Sequence, residues 1–137
     1  MTLEEIKVRY DGIQTRFKNL HEYGCFFLCL CEIIEEVTDS PCDIIRVIQE
    51  SKARGWLKED YTISNSLEIL NTFTKKEWKR KEVEKLPAKI KDNEFTVEKW
   101  YNPRTDYTHF KRRFVDTLVS SVTVKEGKIK EYYIYYY

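Results

Sequence analysis

The chain has 137 residues, of which 42% are hydrophobic and 34% are charged, a size and balance that suit one domain with its own core. We therefore expect residues 1–137 to form a single domain. A formal net charge of +1 argues against a wholly basic nucleic-acid coat protein. The sequence has no apolar run that could span a bilayer and no signal-peptide pattern at its start, so we expect a cytoplasmic protein without membrane contact.

The first half of the chain has helical periodicity. Apolar side chains recur at spacings of three and four over residues 3–18, which predicts a first helix. Residues 25–37 are the most hydrophobic stretch and predict a central helix. Ser40 as N-cap and Pro41 in the first turn predict a further helix over residues 41–53.

We predict a shorter helix beginning at Ser64 or Asn65, after which the composition changes to short aromatic and β-branched segments. Residues 75–91 hold eight basic residues and three glutamates, with Pro87 among them, and predict an edge strand and a turn. Further strands are predicted over 95–101, 105–116, 118–124 and 128–137. Helices followed by antiparallel strands predict an α+β domain whose central helix packs on a C-terminal sheet.

Cys25 is the first candidate for chemistry, because it follows Gly24 at the start of the central helix. Unpaired N–H groups and the positive end of the helix dipole favour a thiolate there. A buried, inert cysteine is the structural alternative. We expect Cys29, Cys31 and Cys42 to be buried thiols, so that iodoacetamide would label Cys25 before them.

His109 is the second candidate, because it lies in a predicted strand far along the chain from Cys25. A cysteine at a helix start and a histidine on a later strand can meet across the interface between the two halves. The imidazole could then accept the thiol proton and return it to a leaving group. A half-buried, merely structural histidine is the alternative. No C-x-x-C pair supports a metal site, and we expect no cofactor.

This order of motifs resembles the papain-like cysteine peptidase fold in its small bacterial and phage forms. More narrowly, YGCFFLCL near the start, HF at 109–110 and SSVTVKEGKI at 120–129 resemble an uncharacterised phage- and spirochaete-associated family. The likeness spans residues 14–136. It implies a Cys25 nucleophile paired with His109, acting on an amide, peptide or isopeptide carbonyl.

The resemblance also implies two supporting residues. Papain-like enzymes place an amide side chain about six residues before the nucleophile to stabilise the oxyanion, and that position is Asn19 here. Asp116 is the nearest candidate to orient His109, provided that the chain turns through residues 111–113. The weaker alternatives for that third role are Asn102 and Asp106.

Phe26 and Phe27 depart from the family pattern, in which small residues or tryptophan follow the cysteine, and they could narrow or block the groove. A non-catalytic papain-fold interaction domain is therefore the main alternative. A third hypothesis is a nucleic-acid or anion-binding module, using the basic residues at 75–91 with Trp78 and those at 111–113. Lysines that protect a solvated edge strand explain the same residues better, so we do not expect nucleic acid as a partner.

Overall fold

The computed structural model describes Thr2, residues 24–112 and residues 127–137. The predicted helix over 3–18 and the predicted strand over 118–124 lie outside these residues. Within them, three helices precede four strands. In chain order the elements are α1 (Cys25–Thr38), α2 (Ile44–Ala53), α3 (Ser66–Thr74), β1 (Lys79–Val83), β2 (Glu94–Asn102), β3 (Tyr107–Lys111) and β4 (Lys128–Tyr136).

Helix α1 is the predicted central helix, and its apolar residues enter the core. Phe27 and Leu30 are fully buried on it. The hydroxyl of Thr38 donates a hydrogen bond to the carbonyl of Ile34 at 2.7 Å in the last turn. The helix ends at Asp39, whose φ of 51° is left-handed and turns the chain back towards the helix.

The predicted start of α2 at Pro41, with Ser40 as N-cap, is wrong. The cap is Asp43, whose carboxylate accepts a hydrogen bond from the backbone N–H of Arg46 at 3.2 Å. The physical reason is a contact with α1. The carboxylate of Glu35 on that helix accepts a hydrogen bond from the backbone N–H of Cys42 at 2.9 Å. The loop therefore stays against α1 until Asp43 begins the new helix.

The predicted end of α2 and start of α3 are confirmed. Gly55 lies just beyond α2 with a φ of 76°, a conformation that glycine adopts without strain. Asn65 caps α3, because its side-chain oxygen accepts the backbone N–H of Glu68 at 3.2 Å. A left-handed Lys75 ends the helix and directs the chain into the sheet.

The four described strands form one antiparallel sheet in the order β1-β4-β2-β3. The basic strand β1 therefore lies at one edge, as predicted, and β3 lies at the other edge of the described sheet. In the β2–β3 register, Trp100 is opposite His109 and Lys99 is opposite Phe110. An edge strand has outward N–H and C=O groups without a strand partner, so β3 can bond to another element there.

Helices and sheet share one core, which confirms the α+β class. The Tyr135 hydroxyl of β4 donates to the Ser66 hydroxyl of α3 at 2.9 Å. The Trp78 indole donates to the Thr74 hydroxyl at 2.7 Å, which fixes the turn between α3 and β1. Among the described helices, none has both the length and the apolar character needed to cross a membrane.

Candidate active site

The N-terminus of α1 meets the outer edge of β3. The half-buried thiol of Cys25 receives a hydrogen bond from the backbone N–H of Phe110 in β3. The rings of Phe26, which follows Cys25 in the chain, and of Phe110 stack with their centroids 4.5 Å apart. The structure thus brings the predicted nucleophile to the predicted histidine strand.

The expected activation of Cys25 by the helix terminus is wrong for this structure. Burial raises the pKa of Cys25 above its ordinary value of 9.0, although the N–H groups of Phe110, Phe26 and Cys25 itself act in the opposite direction. A thiol that is largely buried loses the water that would stabilise its charged form. Cys25 is therefore a neutral thiol at pH 7.

His109 lies one residue from the contact with Cys25 but is not bonded to that thiol. Its side chain is only 5% exposed, and its Nε2 has no hydrogen-bond partner among the described residues. Successive side chains of a strand alternate between faces, so the imidazole lies on the face opposite the ring of Phe110. Burial and the charge of Lys111 lower the pKa of His109 below 6.5, so the ring is neutral at pH 7.

The two supporting residues, Asn19 and Asp116, lie outside the described residues, and their roles stay predictions. Of the weaker alternatives, Asp106 accepts a hydrogen bond from the Tyr101 hydroxyl. The side-chain oxygen of Asn102 accepts the backbone N–H of Arg104 at 3.0 Å. Neither of these hydrogen bonds orients the imidazole.

A partly buried polar cluster lies on α1 beyond Cys25, where it meets Arg112, and sequence reasoning missed it. Arg112 is only 8% exposed and its Nη2 bonds to Glu36 at 3.1 Å, whereas its Nε and Nη1 have no partner among the described residues. Burial raises the pKa of Glu32 to about 7, with smaller contributions from neighbouring glutamates, and the charge of Arg112 opposes this rise. The spacing of Cys25, Cys29, Glu32 and Glu36 along one helical face is the signal that could have revealed the cluster.

The role of Asp116 depends on a turn through residues 111–113. Lys111 is still part of β3, where it pairs with Glu98 of β2, and residue 113 lies outside the described residues. Arg112 is buried rather than presented to solvent, so it cannot contribute to a phosphate-binding surface in this conformation. On β1, at the opposite edge, Lys81 forms an ion pair with Glu94 at 3.1 Å. These contacts favour the interpretation of the basic residues as part of the fold.

A second thiol site was also missed. The thiols of Cys31 and Cys42 are hydrogen-bonded to each other, which brings the middle of α1 to the loop before α2. Cys31 and Cys29 are buried as expected, but the expectation that Cys42 is buried is wrong. Cys42 lies on a loop and stays half-exposed, because only part of its side chain packs on the core.

Comparisons with protein-family models, with curated proteins and with solved structures found no match to the chain.

Proposed function

We propose that the chain is a papain-like cysteine hydrolase or acyl transferase, in which Cys25 is the nucleophile and His109 the general base. The observation that carries the proposal is the hydrogen bond from the Phe110 N–H to the Cys25 sulfur. It holds the thiol against the residue that directly follows His109. A thiol at the head of the central helix, facing the histidine strand of an antiparallel sheet, is the arrangement that a papain-like domain requires.

The Nε2 of His109, which has no hydrogen-bond partner among the described residues, gives independent support. Buried polar atoms in native proteins nearly always have a hydrogen-bond partner, and an exception needs an explanation. Catalytic hydrogen bonds are often long or unformed before substrate binds. A change of rotamer that turns the imidazole towards Cys25 would give the Nε2 atom its partner and complete the pair.

The directions of the two pKa shifts define the mechanism. Because the pKa of Cys25 is raised and that of His109 is lowered, both groups are neutral at pH 7. The imidazole accepts the thiol proton as sulfur attacks the carbonyl carbon, rather than holding a preformed ion pair. The protonated ring then gives this proton to the leaving amine as the carbon–nitrogen bond breaks. Water, or another nucleophile, finally cleaves the thioester.

The negative charge that develops on the carbonyl oxygen needs donors. The first N–H groups of α1 have no carbonyl acceptor within the helix, so the N–H of Cys25 is suited to this role. Asn19 is the proposed second donor and Asp116 the proposed residue that orients His109. The stacked rings of Phe26, which follows Cys25, and of Phe110, whose N–H bonds to the sulfur, favour a slender acyl group, such as that of an extended peptide or isopeptide.

The second candidate function is a non-catalytic papain-fold interaction domain. The observation that favours it is the partial burial of the Cys25 thiol, which raises its pKa. In that case the aromatic pair would be a structural contact only. The two candidates differ in one respect that can be measured, which is whether Cys25 accepts an acyl group.

p-Nitrophenyl acetate provides an acyl group without knowledge of the natural substrate. We expect p-nitrophenol release together with an acetyl thioester at Cys25, located by mass spectrometry. Replacing His109→Asn should slow acetylation about 10²–10⁴-fold, as loss of a general base does. A Cys42→Ser variant controls for acylation elsewhere. Release that persists undiminished when Cys25→Ser is added to Cys42→Ser, or a Cys25 that stays unacetylated in the folded protein, would reject catalysis and favour the interaction domain.

A further inference from the structure

We propose that Cys31 and Cys42 form a redox-sensitive pair that closes to a disulfide when a hydroperoxide oxidises Cys42. The first observation is the direct hydrogen bond between the two thiols. Neither residue belongs to the proposed active site at the start of α1. The inference therefore does not depend on the catalytic proposal.

The surrounding structure holds the two sulfur atoms together. Glu35 lies one helical turn after Cys31 on α1, and its carboxylate accepts the backbone N–H of Cys42 at 2.9 Å. This contact keeps the loop before α2 on the face of α1 that carries Cys31. The left-handed Asp39 allows the reversal that brings the loop back. The contact is thus built by the backbone as well as by the thiols.

The two thiols differ as a peroxide-sensitive cysteine and its resolving partner should differ. Cys31 is only 4% exposed, whereas Cys42 is half-buried on a loop that solvent reaches. The hydrogen bond from the Cys31 thiol lowers the pKa of Cys42, while burial and the charges of Glu35 and Asp43 oppose this effect. An accessible sulfur with thiolate character beside a second thiol is the arrangement in which oxidation ends in a disulfide.

The chemistry balances with one molecule of hydrogen peroxide. The Cys42 thiolate attacks one peroxide oxygen, a sulfur–oxygen bond forms, the oxygen–oxygen bond breaks, and the departing hydroxide takes up a proton as water. The Cys31 sulfur then attacks the Cys42 sulfur of the sulfenic acid. A disulfide forms, the sulfur–oxygen bond breaks, and the Cys31 proton leaves with the hydroxide as a second water. Peroxide is reduced and the two thiols are oxidised.

The test treats the folded chain with hydrogen peroxide at pH 7, blocks the remaining thiols with iodoacetamide and maps the peptides by mass spectrometry. We expect a linkage between Cys31 and Cys42, with the loss of two hydrogens, that dithiothreitol reverses. In Cys31→Ala, dimedone should trap a sulfenic acid at Cys42. In Cys29→Ser, a matched change on the same helix, the linkage should form at the wild-type rate.

Two results would overturn the inference. One is oxidation of Cys25 or Cys29 before any linkage between Cys31 and Cys42 forms in the wild-type protein. The other is a linkage that forms only in denaturant, since the native contact would then have no part in it. Because both results concern the wild-type chain, the test does not depend on whether a variant folds.

Discussion

Cys25 at the start of α1 and Cys42 on the loop before α2 lie in different environments, and the comparison between these two thiols is instructive. Cys25 occupies the helix start, where the N–H groups and the dipole favour a thiolate, yet its pKa is raised. Cys42 lies on the loop directly before the N-cap of α2, and its pKa is lowered chiefly by the hydrogen bond from Cys31. Position on a helix therefore predicts less about a thiol than its access to water and its hydrogen-bond partner do.

The magnitudes of the two effects explain why burial outweighs the helix terminus in setting the pKa of Cys25. A helix terminus contributes about 0.3–1 kcal/mol at an exposed site, which corresponds to less than about one pKa unit. Burial can shift a fully buried group by about 3–5 units. At Cys25 burial therefore outweighs the dipole.

Removing the ring of Phe26, the residue next to Cys25, should have the largest effect on the contrast between Cys25 and Cys42. In Phe26→Ala we expect more water at the sulfur, so the pKa of Cys25 should fall and its alkylation at pH 7 should become at least about tenfold faster. The loss of the stacked ring should also destabilise the fold by about 2–4 kcal/mol. Rates of iodoacetamide labelling and urea unfolding measure the two effects.

Phe73→Ala is the matched control, because Phe73 is a partly buried ring of α3 packed against the same core. It should lower stability without accelerating the labelling of Cys25. Equal acceleration in both variants would mean that general loosening, and not the ring of Phe26, controls the thiol.

Glu32→Gln tests whether burial is also the dominant influence on the pKa of a carboxyl group on α1. The pKa of Glu32 is about 7 in the folded protein against 4.5 ordinarily, so the folded state binds the extra proton between these values and stability falls as pH rises through them. The glutamine variant should be about 1–2 kcal/mol more stable than wild type at pH 8, after discounting for partial exposure, and equal to it near pH 4.

Urea unfolding at both pH values measures this difference. Glu36→Gln is the control, because it removes the ion pair with Arg112 and should lower stability at pH 8. A Glu32→Gln variant that is less stable than wild type at pH 8 would show that the Glu32 carboxylate is stabilised by Arg112 more than it is penalised by burial.

The smallest effect concerns the second thiol environment. Glu35→Gln keeps an oxygen that can accept the Cys42 N–H but removes a charge that raises the pKa of Cys42. A surface charge contributes about 0.3 kcal/mol, so alkylation of Cys42 near pH 7 should become about twofold faster. In Glu59→Gln, where the side chain is 91% exposed, the rate should stay unchanged. A slower Cys42 in Glu35→Gln would contradict the assigned role of that charge.

Local patterns were sufficient to predict much of the fold. Apolar periodicity predicted α1, Asn65 predicted the start of α3, and the aromatic tail predicted β4. The start of α2 was mispredicted because Ser40 and Pro41 satisfy the local rule, whereas a tertiary hydrogen bond to Cys42 decides where the helix can begin. Local rules do not include such long-range competition.

In the candidate site, too, some features could be predicted from the sequence and others depended on tertiary packing. The meeting of Cys25 with the His109 strand followed from element order, because a helix packed on a sheet edge brings its terminus to that edge. The sign of the Cys25 pKa shift did not follow, since burial depends on how the chain packs around the sulfur. The contact between Cys31 and Cys42 depends on a chain reversal at Asp39, which no spacing rule predicts.

The most direct measurement is iodoacetamide labelling of all four cysteines in the native protein, followed residue by residue from pH 5 to pH 10. We expect Cys42 to be labelled at the lowest pH, Cys25 only at higher pH, and Cys29 and Cys31 to stay protected, because water access and thiol hydrogen bonding determine reactivity. Labelling of Cys25 ahead of Cys42 near neutral pH would contradict this order. It would show that the helix terminus, and not burial, controls the thiol at the candidate active site.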